Sequence, residues 1–227
     1  PLLVFLALAF PLSWYPWIIA LAQGRSSGPN PLGPFVAAII MAALVGGRPE
    51  VKDLLARLVR VRVGIRTYAF VFALPILLCL VAAAVALLVI QSYVSLPTAE
   101  KFWELPERFV FIFLFIGMGE EPGWRGFALP RLQKKYSALT ASLILAPLWA
   151  VWHLPLMGHE FPLPILPAFL VSLLGGTLVQ TWLFNRTRGS VFVQMLFHAT
   201  VNTIGAGLIF PLFNGIALLV LWCTNAL

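Results

Sequence analysis

The sequence predicts an all-α fold, a polytopic integral membrane bundle of about eight transmembrane helices. Three observations carry the prediction. Hydrophobic residues make up 61% of the chain and charged residues 10%, against roughly 45–50% and ~25% in soluble domains. The apolar residues gather into long stretches parted by short polar breaks, and a bilayer core of ~30 Å takes ~20 such residues to cross. Backbone groups in lipid must bond to one another, so stretches of this length are helical.

The stretches fall at about 2–22, 34–46, 68–91, 107–129, 138–157, 163–184, 190–209 and 211–225. The first has no basic flank and no small-residue cleavage site, so it reads as a spanning helix and not as a removed signal peptide. The second is short and begins inside a Gly/Pro-rich run, residues 28–34. Residues 48–66 alternate Lys and Arg with Leu and Val, as an amphipathic helix lying in the interface does. Pro75, Pro122 and Pro147 fall inside expected spans, where neighbouring helices re-satisfy the freed carbonyls. No repeat divides the chain, and residues 1–227 read as a single transmembrane domain.

Basic residues orient the bundle. With eight spans and both termini cytoplasmic, the cytoplasmic side holds six Lys and Arg between 48 and 66, together with Arg125, Arg131, Lys134, Lys135, Arg186 and Arg188. The outer side holds only Arg25, Lys101 and Arg108. The formal charge of +7 sits beside apolar segments, which points to anionic lipid and excludes nucleic acid as the partner. Trp14, Trp17 and Trp103 lie near span ends, as interfacial aromatics do. Cys79 and Cys223 lie in apolar runs without metal-ligand spacing and read as packing residues.

A charge at bilayer depth costs ~2.5–3.5 kcal/mol even on the lenient insertion scale, so the polar residues inside spans need partners or a function. In the fourth stretch, Glu121 and Arg125 are four apart and share one helix face, where they can pair. Glu120 is turned about 100° away, and a carboxylate without its own cation in a dry site can accept a proton. The plainer alternative solvates both acids at a wet helix end. His153, in Trp149-Ala150-Val151-Trp152-His153, is alone an ordinary packing histidine, although imidazole suits proton transfer. His198 and Asn202 lie one turn apart and face the same way. They could hold an oxyanion, join a metal shell, or simply bond between helices. His159 and Glu160 fall in an outer loop and read as solvated. The chain has no His-Glu-x-x-His, no Gly-x-Ser-x-Gly and no phosphate loop, and Ser190 lacks a base.

Three motifs in this order, Glu120-Glu121-x-x-x-Arg125, Trp149-x-x-x-His153 and His198-x-x-x-Asn202, resemble the CAAX-protease and bacteriocin-processing family, called CPBP or Abi. The resemblance covers residues 105–210 as a catalytic core, whereas residues 1–100 match only in being membrane helices. Trp149 stands where phenylalanine is commoner. The resemblance implies an intramembrane endopeptidase with the eight-helix fold of the CAAX endopeptidases, which remove a C-terminal tripeptide after a prenylated cysteine. Glu120 would activate water with His153 assisting, His198 and Asn202 would stabilise the oxyanion, and Glu121, Arg125 and Trp149 would support them. No cofactor is expected, with zinc on Glu120, His153 and His198 as the competing mechanism. The wording around Glu120 is close to bacterial members, which implies a bacterial cell membrane. The implied substrate is a peptide or protein, lipidated or membrane-anchored. A non-catalytic immunity or scaffold protein of the same fold, and a small-molecule transporter, are the rival functions. For the four site residues to meet at one depth, the fifth span must begin near Ala141, with residues 132–137 forming an interfacial segment.

Overall fold

The apolar stretches fold into helices in the order that hydropathy assigns. A computed structural model describes residues 1–90 and 97–226, and among these it contains eight helical rods and no β-strand. Helix α1 spans Leu2–Ala22, α2 Gly33–Leu58 and α3 Ile65–Ile90. Rod α4 runs through residues 99–133 with changes of pitch. Helix α5 spans Ala138–Trp152, α6 Leu166–Arg186, α7 Val191–Ile204 and α8 Gly215–Ala226. Five helical stretches are long and apolar enough to cross a membrane, and α5 and α8 are shorter apolar helices. Large aliphatic side chains stand outward on these rods: Leu44 is 73% exposed and Leu88 76%. Water would penalise such a surface; lipid does not. The chain is an integral membrane protein.

Close backbone approach sets how α4 sits. Gly117, Gly119, Gly123 and Gly126 recur along it, and small residues let membrane helices meet backbone to backbone. A methyl group on Gly123 would lie 2.5 Å from Cβ of Pro34 on α2, and one on Gly117 would lie 3.2 Å from the Met195 carbonyl on α7. Rod α4 is therefore wedged between α2 and α7. Helix α1 packs on α2, α5 on α6, and α3 on both α7 and α8. The main core gathers Phe5, Ala38, Trp124, Phe127, Leu145 and Trp149 along these seams.

Several expectations need adjustment. The expected short span and the interfacial helix are two arms of α2, bent at Gly47, which has φ +64°. Glycine alone takes that conformation without a side-chain penalty. The amphipathic arm stops at Leu58 and not at residue 66. Its buried face puts Leu54 against Gly126, while Glu50 pairs with Arg131 at the end of α4. The expected end of the third span at residue 91 lies outside the described residues. Residues 132–133 belong to α4, so the break before α5 covers only 134–137. Ser137 then caps α5 by accepting the Thr140 N–H at 3.1 Å. The rod is interrupted as the site requires, although α5 starts three residues before Ala141. Cys79 packs in a core cluster as expected, but Cys223 is exposed on α8. Trp103 stands 81% exposed, whereas Trp14 turns inward and donates to the Trp152 carbonyl at 3.0 Å.

Candidate active site

The two acids sit where α4 changes pitch. A π-helical stretch at Ile112–Gly117 precedes the turn Met118–Glu121, and a second, Pro122–Ala128, follows it. Pro122 has no N–H to return to the carbonyl four residues earlier, so the regular ladder cannot run through this point. Widened turns of this kind recur at functional sites because they re-aim side chains. Here Glu120 and Glu121 both turn inward and are buried, as is Arg125.

The neighbouring carboxylates have different partners. Glu121 Oε1 accepts from Arg125 Nη1 at 3.0 Å and faces His198 Nδ1 at 2.7 Å. Glu120 Oε2 accepts the Trp149 indole N–H at 2.8 Å, and its Oε1 lies 4.0 Å from His198 Nε2. The ring of His198 thus stands between the two acids, one nitrogen toward each. One guanidinium cannot balance two buried carboxylates, and an uncompensated charge in a dry interior is costly. One further proton neutralises the cluster, and the Glu120–His198 pair is where it can sit.

Trp149 organises the other side. The Arg125 guanidinium lies 4.0 Å above its ring. Its backbone carbonyl faces His153 Nδ1 at 2.8 Å. A carbonyl only accepts, so Nδ1 of His153 carries the hydrogen and Nε2 is left as an acceptor. His153 ends α5 as its C-cap, with Trp152 and Phe169 packed edge-on at centroid distances of 4.9 and 5.6 Å. It meets neither carboxylate directly. One tryptophan therefore links Glu120, Arg125 and His153. Sequence reasoning assigned Trp149 only a supporting place, because nothing in one chain's order of residues says which way an indole N–H points.

Glu120, Trp149, His153, His198 and Asn202 line one cavity of about 630 Å³. Glu121 and Arg125 stay behind its wall. Asn202, one turn beyond His198 on α7, is half-buried on the cavity side. His159 and Glu160 are exposed at its rim. The expected convergence of helices α4, α5 and α7 is therefore present in the geometry. The zinc set is not. Among the described residues no three of His, Cys, Asp and Glu come together closely enough to hold a metal ion. His153 is the one that stands apart, and its free nitrogen is on a ring anchored to the Trp149 carbonyl.

The fold and this interior define a class: a helical integral membrane protein with an acid–imidazole centre on an internal cavity with an exposed rim. Residues 102–204 match the family described as Type II CAAX prenyl endopeptidase Rce1-like. The chain is also 26% identical over 192 residues to CAAX prenyl protease 2 of Methanococcus maripaludis, covering 77% of this chain and 69% of that protein. With the motif residues gathered on one cavity, the chain is similar over residues 102–204 to the CAAX prenyl endopeptidases.

Proposed function

We propose that the chain hydrolyses a peptide bond within the membrane by a metal-free mechanism, with Glu120 as the base. The observation that carries this reading is that Glu120 lines the cavity while Glu121 takes the arginine, and the group nearest the second oxygen of Glu120 is the His198 ring at 4.0 Å. Glu120 accepts a proton from water, and the resulting hydroxide adds to the scissile carbonyl carbon. The negative oxygen is received by Asn202 through its side-chain amide and by His198 through Nε2. With Nδ1 set against a carboxylate, His198 donates from Nε2 when both ring nitrogens carry protons, which is where the cluster's extra proton serves catalysis. Collapse of the adduct breaks the C–N bond, and the leaving amine takes the proton from Glu120. His153 assists through its unprotonated Nε2 by orienting the water. Glu121, Arg125 and Trp149 hold the reacting groups at their angles.

The name carried by the Methanococcus relative extends this reading to a prenylated CAAX-type C-terminus, and a leader peptide or another membrane-anchored segment is the corresponding substrate in a bacterial membrane. With Arg125 left out, because it is buried against Glu121, the remaining eleven-to-three partition of basic residues supports both termini being cytoplasmic. Residues 1–227 act as one domain with 105–210 as its catalytic core.

The test uses purified protein in lipid nanodiscs with a fluorogenic prenylated CAAX peptide. Glu120→Gln lowers the cleavage rate by about 10²–10⁴ while leaving the fold intact, since the new amide oxygen still accepts the Trp149 N–H. Cleavage survives chelation, and elemental analysis finds less than stoichiometric zinc. Stoichiometric zinc whose removal abolishes cleavage overturns the metal-free mechanism. A phenotype that persists in cells carrying Glu120→Gln assigns the chain a non-catalytic role, and solute counter-flow in liposomes assigns it a transport role.

A further inference from the structure

Helix α1 lies outside the matched residues 102–204, yet it reaches the peptide bond that carries His153. A helix leaves its last carbonyls without intrahelical donors, and buried ones take partners from elsewhere. At the end of α5 two side chains serve. The Trp149 carbonyl accepts from Nδ1 of His153 at 2.8 Å, and the Trp152 carbonyl accepts from the Trp14 indole N–H at 3.0 Å. Local sequence leaves the Trp152 carbonyl open for this bond. Three residues on stands Pro155, which has no N–H to give. Four residues on, Leu156 donates its N–H to the His153 carbonyl at 2.9 Å.

The Trp152 carbonyl and the His153 N–H belong to one planar peptide unit. That N–H donates to the Ala150 carbonyl at 3.1 Å. The plane is therefore held from both sides, by α5 itself and by α1 across 138 residues of sequence. The indole that reaches it is well seated. Phe10 packs edge-on against Trp14 at 5.0 Å between centroids, and Trp17 at 5.5 Å. The Asn30 N–H donates to the Ser13 carbonyl at 2.7 Å, which fixes α1 beside the start of α2. Freed from Trp14, the 152–153 plane could rotate, and the His153 side chain would swing with it.

We infer that Trp14 is a positioning residue: its indole N–H, by fixing the 152–153 peptide plane, holds Nε2 of His153 at the angle from which it orients the attacking water. The inference rests on the endopeptidase reading for the role of His153. Trp14 is not among the residues that line the cavity, so it acts through the end of α5 and touches no reacting atom.

Two measurements on the full chain in lipid nanodiscs keep position and turnover apart. Trp14→Phe deletes the N–H and keeps an aromatic ring against Phe10 and Trp17. Hydrogen–deuterium exchange, read by mass spectrometry, speeds up about fivefold or more in peptides covering residues 150–157. Exchange in α7 stays within about twofold and checks that the bundle is folded. On a fluorogenic prenylated CAAX peptide the same variant lowers kcat about tenfold or more and leaves KM within about twofold. Trp17→Phe, a change of the same kind one turn along α1, moves neither exchange at 150–157 nor kcat. Unchanged exchange at 150–157 in Trp14→Phe overturns the tether. Faster exchange with an unchanged kcat, or a loss carried by KM alone, overturns the positioning role. A parent chain that cleaves no peptide sinks the endopeptidase reading instead, and the tether then stands or falls on exchange alone.

Discussion

Removing Arg125 tests the charge arrangement of the site most directly. In Arg125→Met the side chain keeps an apolar stem and loses its guanidinium. Glu121 Oε1 then keeps only His198 Nδ1 at 2.7 Å, and its other oxygen already has no hydrogen-bond partner among the described residues. Breaking one partner out of a buried pair costs ~3–5 kcal/mol, because the remaining charge is uncompensated. The pair here is buried on both sides, with neither side chain measurably exposed, so solvent screening gives no discount. At roughly 2–4 °C per kcal/mol for a chain of this size, the melting temperature falls by about 6–20 °C. Tryptophan fluorescence during heating in a mild detergent follows it, helped by Trp149 lying under the lost guanidinium. The decisive comparison is Glu121→Gln/Arg125→Met. Glutamine keeps an oxygen to accept from His198 Nδ1 but carries no charge, so the double variant recovers about 2 kcal/mol relative to Arg125→Met. The reasoning fails if Arg125→Met loses less than about 1 kcal/mol, or if the double variant loses the sum of the two single losses.

Two further outcomes follow from named contacts. Trp149→Phe keeps an aromatic face for Arg125 and deletes the N–H held by Glu120; at ~1.5–3 kcal/mol for a hydrogen bond to a charged group, kcat falls roughly ten- to a hundredfold. Steady-state cleavage measures it, and an unchanged kcat means that the indole donor plays no part in the reaction. Gly123→Ala drives a methyl group into Pro34, with backbone behind it, and costs about 1–3 kcal/mol of stability. Thermal melting of that variant beside Gly176→Ala, on the α6 wall of the cavity where a methyl group would meet nothing within 4 Å, separates a packing glycine from a cavity glycine, and equal stability of the two would contradict the close approach of α2 and α4.

Much of the site was legible in the sequence because helical geometry links residues three and four apart. Glu121–Arg125, Trp149–His153 and His198–Asn202 are all such pairs, and each lies within one rod as expected. The kink at Gly47 also had a local signal, since a Gly-Gly pair followed by Arg48-Pro49 marks a break. The contacts between rods had none. Glu121 meets His198 across 77 residues, Trp149 meets Glu120 across 29, and the order of residues says only that these helices neighbour one another somehow.

Hydropathy and helical period act locally along the chain, so they already dictate a helical membrane bundle, the places of its rods and which rods carry charge. How that charge is divided, Glu121 to arginine and Glu120 to an indole N–H and an open cavity, emerges from packing alone. That division depends on which way packed helices face each other. Rotation about a helix axis is set by glycine contacts with α2 and α7, far away in the sequence.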